Sequence, residues 1–178
     1  MEKEAEVYYL LIRGPLAIGK STIAKKLAKL LKAEYFSLDQ ILEKKGFDKI
    51  NKKLGCIPAK NFIQVDKLIL PKAISALNKG TIVIFDGCFY HKGQIEHLEK
   101  SLKSFKGLIF NLKAPVATCI ARDSRRKNVY GKVAAKAVHK LVSKFDYGLN
   151  INTNNKTESR VIKEIKTKLF KLKWTKRQ

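Results

Sequence analysis

The stretch Gly14-Pro15-Leu16-Ala17-Ile18-Gly19-Lys20-Ser21, followed by Thr22, constrains this chain more than any other. It satisfies the pattern G-x-x-x-x-G-K-[ST], whose meaning depends on its setting. Before it, Val7-Tyr8-Tyr9-Leu10-Leu11-Ile12 is a continuous apolar, β-prone run, as in a strand buried on both faces. After it, Ile23, Ala24, Leu27, Ala28, Leu30 and Leu31 recur at helical spacing, with Lys25, Lys26, Lys29 and Lys32 on the other face. The prediction is strand, tight loop, helix. In that arrangement the loop N–H groups and the unpaired donors of the first helical turn converge on an anion, and the helix dipole adds to the attraction. Gly14, Ala17, Ile18, Gly19, Lys20, Ser21 and Thr22 are therefore expected to hold a nucleotide, with Lys20 at the β- and γ-phosphates and the Ser21 hydroxyl on Mg²⁺. The competing reading is a glycine-rich βα turn with an exposed lysine.

The rest of the chain alternates strand and helix. Short strands are predicted at 34–38, 81–85, 107–112 and 149–151. Helices are predicted around 62–77, 94–102, 115–122 and 133–145, and over the stripe Val161, Ile162, Ile165, Leu169 and Leu172. Pro71 is expected to kink or restart its helix, and Pro115 to open one. Residues 45–58 read as a mobile loop or a short helical excursion. This alternation argues an α/β fold with a parallel sheet covered on both faces, and ligands at the carboxyl ends of the strands. Gly14 to Ser21, Asp39 and Asp86 then meet at one sheet edge.

Asp86 ends an apolar strand run, so its carboxylate can face the Mg²⁺ held by Ser21; the alternative is a turn aspartate capping Gly87. The next residue, Gly87, stands where many motor ATPases carry a water-activating Glu, which favours transfer to a bound acceptor. Asp39 is the candidate to deprotonate an acceptor hydroxyl, its competing role being the N-cap of a helix at 40–43. Arg122, Arg125 and Arg126 cluster at a helix-to-loop junction, where they could close over ATP or simply be a solvated helix end. Arg122 and Arg126 are the two assigned to catalysis with Lys20 and Asp39. Phe89, Tyr90 and His91 would line the acceptor pocket, and residues 152–156 would rim the adenine site.

Thirty-eight Lys+Arg against 15 Asp+Glu give a formal charge of +23. A field of that sign attracts polyanions, so nucleic acid stays open as a partner beside a purely compositional origin. The three cysteines support neither a disulfide framework nor a zinc site. The apolar runs are too short for a bilayer and the first four residues do not read as a signal peptide, so no membrane is expected and cytoplasm is the default.

These residues resemble the small P-loop kinases of the adenylate-kinase-like group, and within it the kinase-like ATP-binding proteins related to polynucleotide kinase, zeta-toxin, chloramphenicol phosphotransferase and adenylylsulfate kinase. The resemblance runs through Gly14 to Thr22, Phe36-Ser37-Leu38-Asp39 and Val83-Ile84-Phe85-Asp86-Gly87. It continues in Ala114-Pro115, Cys119-Ile120-Ala121-Arg122-Asp123 and Phe145-Asp146-Tyr147-Gly148. It implies a P-loop NTPase three-layer sandwich, a five-stranded parallel sheet in the order 2-3-1-4-5, one domain over residues 1–178, and a helical lid at about 122–132. It also implies Asp39 as acceptor base. Two departures stand out: Leu42 occupies the place of an acceptor-gripping Arg, and the phosphate loop is bulky at Leu16, Ala17 and Ile18. The expected function is ATP-dependent phosphotransfer, with Mg²⁺, to a hydroxyl of a small metabolite or of a nucleotide or nucleic acid. The alternative is an ATP-gated nucleic-acid-binding or assembly factor with slow ATPase activity.

Overall fold

The computed structural model describes residues 7–174. Among them five strands form one sheet: β1 (Tyr8–Arg13), β2 (Glu34–Ser37), β3 (Val83–Gly87), β4 (Lys106–Lys113) and β5 (Leu149–Asn152). Their spatial order is β2-β3-β1-β4-β5 and every neighbouring pair is parallel, as the resemblance implied. Parallel neighbours require crossovers, and these are helical: α1 (Lys20–Leu31), α2 (Leu38–Lys44), α3 (Ala59–Asn78), α4 (Lys92–Ser101), α5 (Val116–Asp123) and α6 (Lys132–Val142), with α7 (Glu158–Trp174) following β5. No helix of the described residues is long and apolar enough to cross a membrane.

Alternation along β1 divides the interior. Tyr9 and Leu11 face a core completed by Leu42, Phe62, Ile95 and Val142, so α2, α3, α4 and α6 cover that side. Tyr8, Leu10 and Ile12 face a second core with Ile23, Leu27, Cys119, Val161 and Ile165, contributed by α1, α5 and α7. The result is a three-layer sandwich around a strand buried along its whole length.

Register sets up the site. Ile12 pairs with Asp86 and Ser37 pairs with Asp86, while Arg13 lies level with Gly87 and Asn111. The carboxyl ends of four strands therefore finish together, with residues 14–19 leaving from the centre.

Several expectations shift. Asp86 lies within β3, which runs later than the apolar run 81–85 suggests, because pairing with β1 and β2 extends through it. Asp39 stands in the first turn of α2 rather than at a strand end, and Ser37 occupies the N-cap position. Pro115 is the N-cap residue and Val116 begins α5. Pro71 neither ends nor restarts α3, which is continuous across it. Pro71 and Lys67 both lie on the exposed side, so solvent can satisfy the Lys67 carbonyl that the proline deprives. Residues 45–58 hold no helix. They turn through an Asn51–Cys56 bridge, with Asn51 Oδ1 accepting from the N–H groups of Lys53 and Leu54.

Candidate functional site

The loop after β1 shows why its glycines and its bulky residues coexist. A Cβ on Gly14 would fall 2.9 Å from Ile18 Cγ2 and 3.2 Å from the Leu112 carbonyl oxygen, so only glycine lets the loop fold back onto β4. Gly19 takes φ 100° as the residue preceding α1. Ala17 is also left-handed, at φ 59°. Leu16, Ala17 and Ile18 then go three separate ways. Ile18 is buried against α1, Ala17 lines one cavity, and Leu16 lines another. No side chain caps α1 and no acid occupies its first turn, so its leading N–H groups face the loop as anion donors.

The first cavity, of about 330 Å³, is lined by Ala17, Gly19, Lys20, Ser21 and Thr22, with Arg122 and Arg126 across from them. Gly14 and Ile18 shape the loop from behind and do not line it. The second cavity, of about 240 Å³, contains Leu16, Asp39, Cys88, Tyr90 and Tyr130. Of the three residues expected there after Asp86-Gly87, only Tyr90 lines it. Phe89 is buried in the core at φ 47°, and His91 meets the Ile57 carbonyl through Nε2 at 2.7 Å.

Lys20 and Asp39 join the two cavities, with Nζ and Oδ2 3.3 Å apart. Asp39 is not a helix cap. Its Oδ1 accepts from the Cys88 N–H at 3.2 Å and its Oδ2 from the Cys88 thiol at 3.3 Å. Burial, reinforced by Asp39, pushes the Cys88 thiol well up, so it acts as a protonated donor. Burial alone would lower the Lys20 pKa, but nearby acidic groups, Asp39 and Asp86 among them, more than reverse it and keep the ammonium charged.

Asp86 is 1% exposed. Its Oδ2 accepts from the Tyr35 hydroxyl at 2.8 Å, while its Oδ1 is buried with no hydrogen-bond partner. Burial raises the Asp86 pKa, with Asp39 adding to the rise; Lys20 opposes it, as do the nearby Ser21 hydroxyl and the Tyr35 bond. Asp86 and Ser21 are thus neighbours, as expected. Tyr35 and Cys88 were not foreseen. Their roles follow from strand pairing, and the only local signal is that Cys88 follows Asp86-Gly87.

Arg13 was also missed. It is fully buried at the end of β1 and donates through Nε to Phe89 O at 3.0 Å, through Nη1 to Asn111 Oδ1 at 2.6 Å and through Nη2 to Val142 O at 2.7 Å. Its guanidinium lies 4.3 Å from the centre of the Phe145 ring. Burial lowers its pKa to about 10, with Asp146 opposing. An arginine closing an apolar run immediately before Gly14 was the available signal.

Arg122 belongs to α5 and is tied down, donating to Ile18 O at 3.1 Å, Thr153 Oγ1 at 3.2 Å and Thr153 O at 2.9 Å. Arg126 instead rises over Tyr130, 4.7 Å from the ring centre. The connection 124–131 is closed at its base by Asp123, whose two oxygens accept from the N–H groups of Tyr130 and Gly131 at 3.2 and 2.8 Å. This one connection places Arg126 in the first cavity and Tyr130 in the second. Within residues 152–156, Asn154 accepts from Thr118 at 2.8 Å, so the segment is anchored to α5.

Comparison with known proteins agrees with this geometry. A family model described as AAA domain matches residues 10–147. A shikimate kinase from Francisella tularensis subsp. novicida is 32% identical over 113 residues, covering 63% of this chain and 61% of that relative. The chain is thus matched along less than two thirds of the relative's length. A sugar kinase from Janibacter sp. shares the fold at TM-score 0.73 and 12% identity, over 90% of this chain and 93% of that one. A shikimate kinase from Acinetobacter baumannii in complex with shikimate shares it at TM-score 0.65 and 20% identity, over 96% and 97%.

Proposed function

The chain belongs to the AAA domain family, and from that premise we propose that it transfers the γ-phosphate of ATP to a hydroxyl of a small acceptor. The first cavity takes the nucleotide, with the loop N–H groups, Lys20, Ser21 and Thr22 on the phosphates and Arg122 and Arg126 opposite. The second cavity takes the acceptor. The observation that carries the reading is the Lys20–Asp39 pair, because it puts a carboxylate at the acceptor side of the phosphate lysine.

Asp39 accepts the acceptor's hydroxyl proton as the new O–P bond forms. The bond from the γ-phosphorus to the bridging oxygen breaks, and the leaving charge stays on ADP. Lys20 and Arg126 offset charge on the transferring group, while Arg122 holds the loop against Thr153. The donor set suits Mg²⁺: the Ser21 hydroxyl and the partnerless Asp86 Oδ1 are hard oxygens. Among the described residues no group of three or more His, Cys, Asp or Glu could hold a metal. That accords with an ion held by one or two protein oxygens and completed by phosphate and water. When bound, Mg²⁺ neutralises phosphate charge. The connection 124–131 serves as the lid within a single kinase-like domain.

The ATP-gated switch reading is disfavoured at Gly87. No carboxylate stands there to activate water, and a Cβ at that position would already crowd the Phe89 ring at 3.2 Å. The test is Asp39→Asn, which keeps an oxygen for the Cys88 N–H and loses the base. Transfer from γ-labelled ATP is expected to fall by roughly 100-fold or more, with ATP affinity within about threefold of the parent. Unchanged turnover in the variant would favour the switch.

A further inference from the structure

The second cavity has a charge at odds with the chain around it. In a protein of net charge +23, the cavity contains no lysine or arginine and three carboxylates, Asp39, Glu43 and Asp48. Asp39 is matched by Lys20. Neither Glu43 nor Asp48 is in an ion pair among the described residues. The remaining wall is apolar, with Leu42, Ile57, Phe62 and Tyr90 prominent in it. Phe62 and Tyr90 meet edge to face, 5.1 Å between ring centres, so that side of the wall is set by packing. At about 240 Å³ the cavity falls below the usual range of ligand sites, which start near about 300 Å³, so its occupant must be small.

We infer that the acceptor is a small, apolar-bodied hydroxyl compound bearing an amine, and not a carboxylate or a phosphate. The inference rests on the phosphotransfer reading above and names its substrate class. An anionic acceptor would meet the carboxylates of Glu43 and Asp48 with no lysine or arginine in the cavity wall to offset them, Lys20 being paired with Asp39 and committed to the nucleotide phosphates. Like-charge placement of that kind selects against an anion, and Asp39, the least exposed of the three carboxylates, weighs most. An ammonium group gains from Glu43 and Asp48 at the cavity mouth, where both are exposed, while a ring or branched alkyl body fills the Phe62–Tyr90 wall. Leu42 projects from α2 into the same wall, so no arginine arises where an acid-gripping one would stand.

The test uses three matched probes with the full chain, Mg²⁺ and γ-labelled ATP: 2-amino-1-phenylethanol, 1-phenylethane-1,2-diol and mandelate. An oligonucleotide with free terminal hydroxyls is added as a polyanionic arm. Phosphorylation efficiency is expected to fall from amine to diol to acid, with the amine ahead of mandelate by roughly 100-fold, and with no transfer to the oligonucleotide. Affinity of the three small probes for protein loaded with a non-hydrolysable ATP analogue is measured in parallel. The charge preference is thereby read even where a probe's hydroxyl is poorly placed. Glu43→Lys with Asp48→Lys is expected to reverse the order of mandelate and amine in both measurements. Mandelate or the oligonucleotide matching the amine in the parent protein would overturn the inference while leaving the kinase standing, as would an unchanged order in the double variant. Absence of Mg²⁺-dependent ATP binding and consumption would overturn the kinase itself, and the acceptor class with it.

Discussion

Arg13 shows how much of the site depends on one side chain that touches no ligand. Its three hydrogen bonds end on Phe89 after β3, on Asn111 of β4 and on Val142, the last residue of α6, so it ties the base of the phosphate loop to three separate elements. Arg13→Lys keeps the charge but lacks the planar fork needed for three divergent acceptors. Leaving two of these buried acceptors unpaired is expected to lower unfolding stability by about 2–4 kcal/mol, read from urea denaturation, and to weaken ATP binding. A variant as stable as the parent would show that the network is dispensable. Asp39 and Asp86 were legible in the sequence because each follows a β-prone run that must end at the ligand edge. Arg13, Tyr35 and Cys88 were not, because their partners come from elements adjacent in space but distant in sequence. Tyr35 reaches Asp86 only because β2 lies beside β3, a fact that parallel crossovers hide from local reading. The bulky phosphate loop was visible but inexplicable until its three side chains were seen to leave in three directions.

Among the helices, the contact between α3 and α4 carries a titratable group that the site does not use. Asp66 is fully buried, with Oδ1 accepting from Gln94 Nε2 at 3.3 Å and Oδ2 3.1 Å from His97 Nδ1. Burial pushes its pKa up to about 7, the Gln94 bond opposing. The unfolded chain releases this proton near its ordinary value of 3.8. Between about pH 4 and 7 the folded state therefore holds a proton that the unfolded state has lost, and stability falls as pH rises through that window. His97 acts oppositely: burial, then Lys67 and Lys100, lower its pKa, so its contribution is lost as pH falls below its ordinary range. The Asp66 shift is the larger and sets the sign. Asp66→Asn retains polar partners for Gln94 and His97 and removes the carboxylate. It is expected to be more stable than the parent above about pH 7, by at most roughly 4 kcal/mol, with the difference vanishing toward pH 4. Denaturation midpoints of both proteins across this range measure it, and a gap that widens toward acid would contradict the assignment. Element type was the most legible level of this chain, since each long helix shows its apolar period. Local pattern misplaced the start of β3, which opens at Val83 where the apolar run begins at Thr81, and the restart expected at Pro71, across which α3 is continuous.

Over the whole molecule, the lining of the acceptor cavity holds no lysine or arginine, while a lysine-rimmed groove lies between α1 and α7. The apolar face of α1 packs on the sheet, which leaves its lysines outward, and α7 repeats the arrangement beside it. Between them lies a groove rimmed by Lys26, Lys29, Lys163 and Lys166 over Leu30. Lys26 is engaged by Glu158, which leaves Lys29, Lys163 and Lys166 for an outside anion. A single-stranded oligonucleotide binding there would release counterions from about three phosphates, so the logarithm of its affinity should fall with the logarithm of salt at a slope of about −2. Contacts of this kind go to the backbone and read no bases, so pyrimidine and mixed sequences should bind alike. Reversing charge at Lys29 and Lys163 should flatten the slope. Fluorescence anisotropy from low to moderate salt measures all three quantities. If the lysines are only a compositional lean, the slope will be shallow and indifferent to those substitutions. If instead the affinity is steep in salt and the bound strand is phosphorylated, the polymer must enter the carboxylate-lined cavity, and the separation of charge drawn from the structure fails.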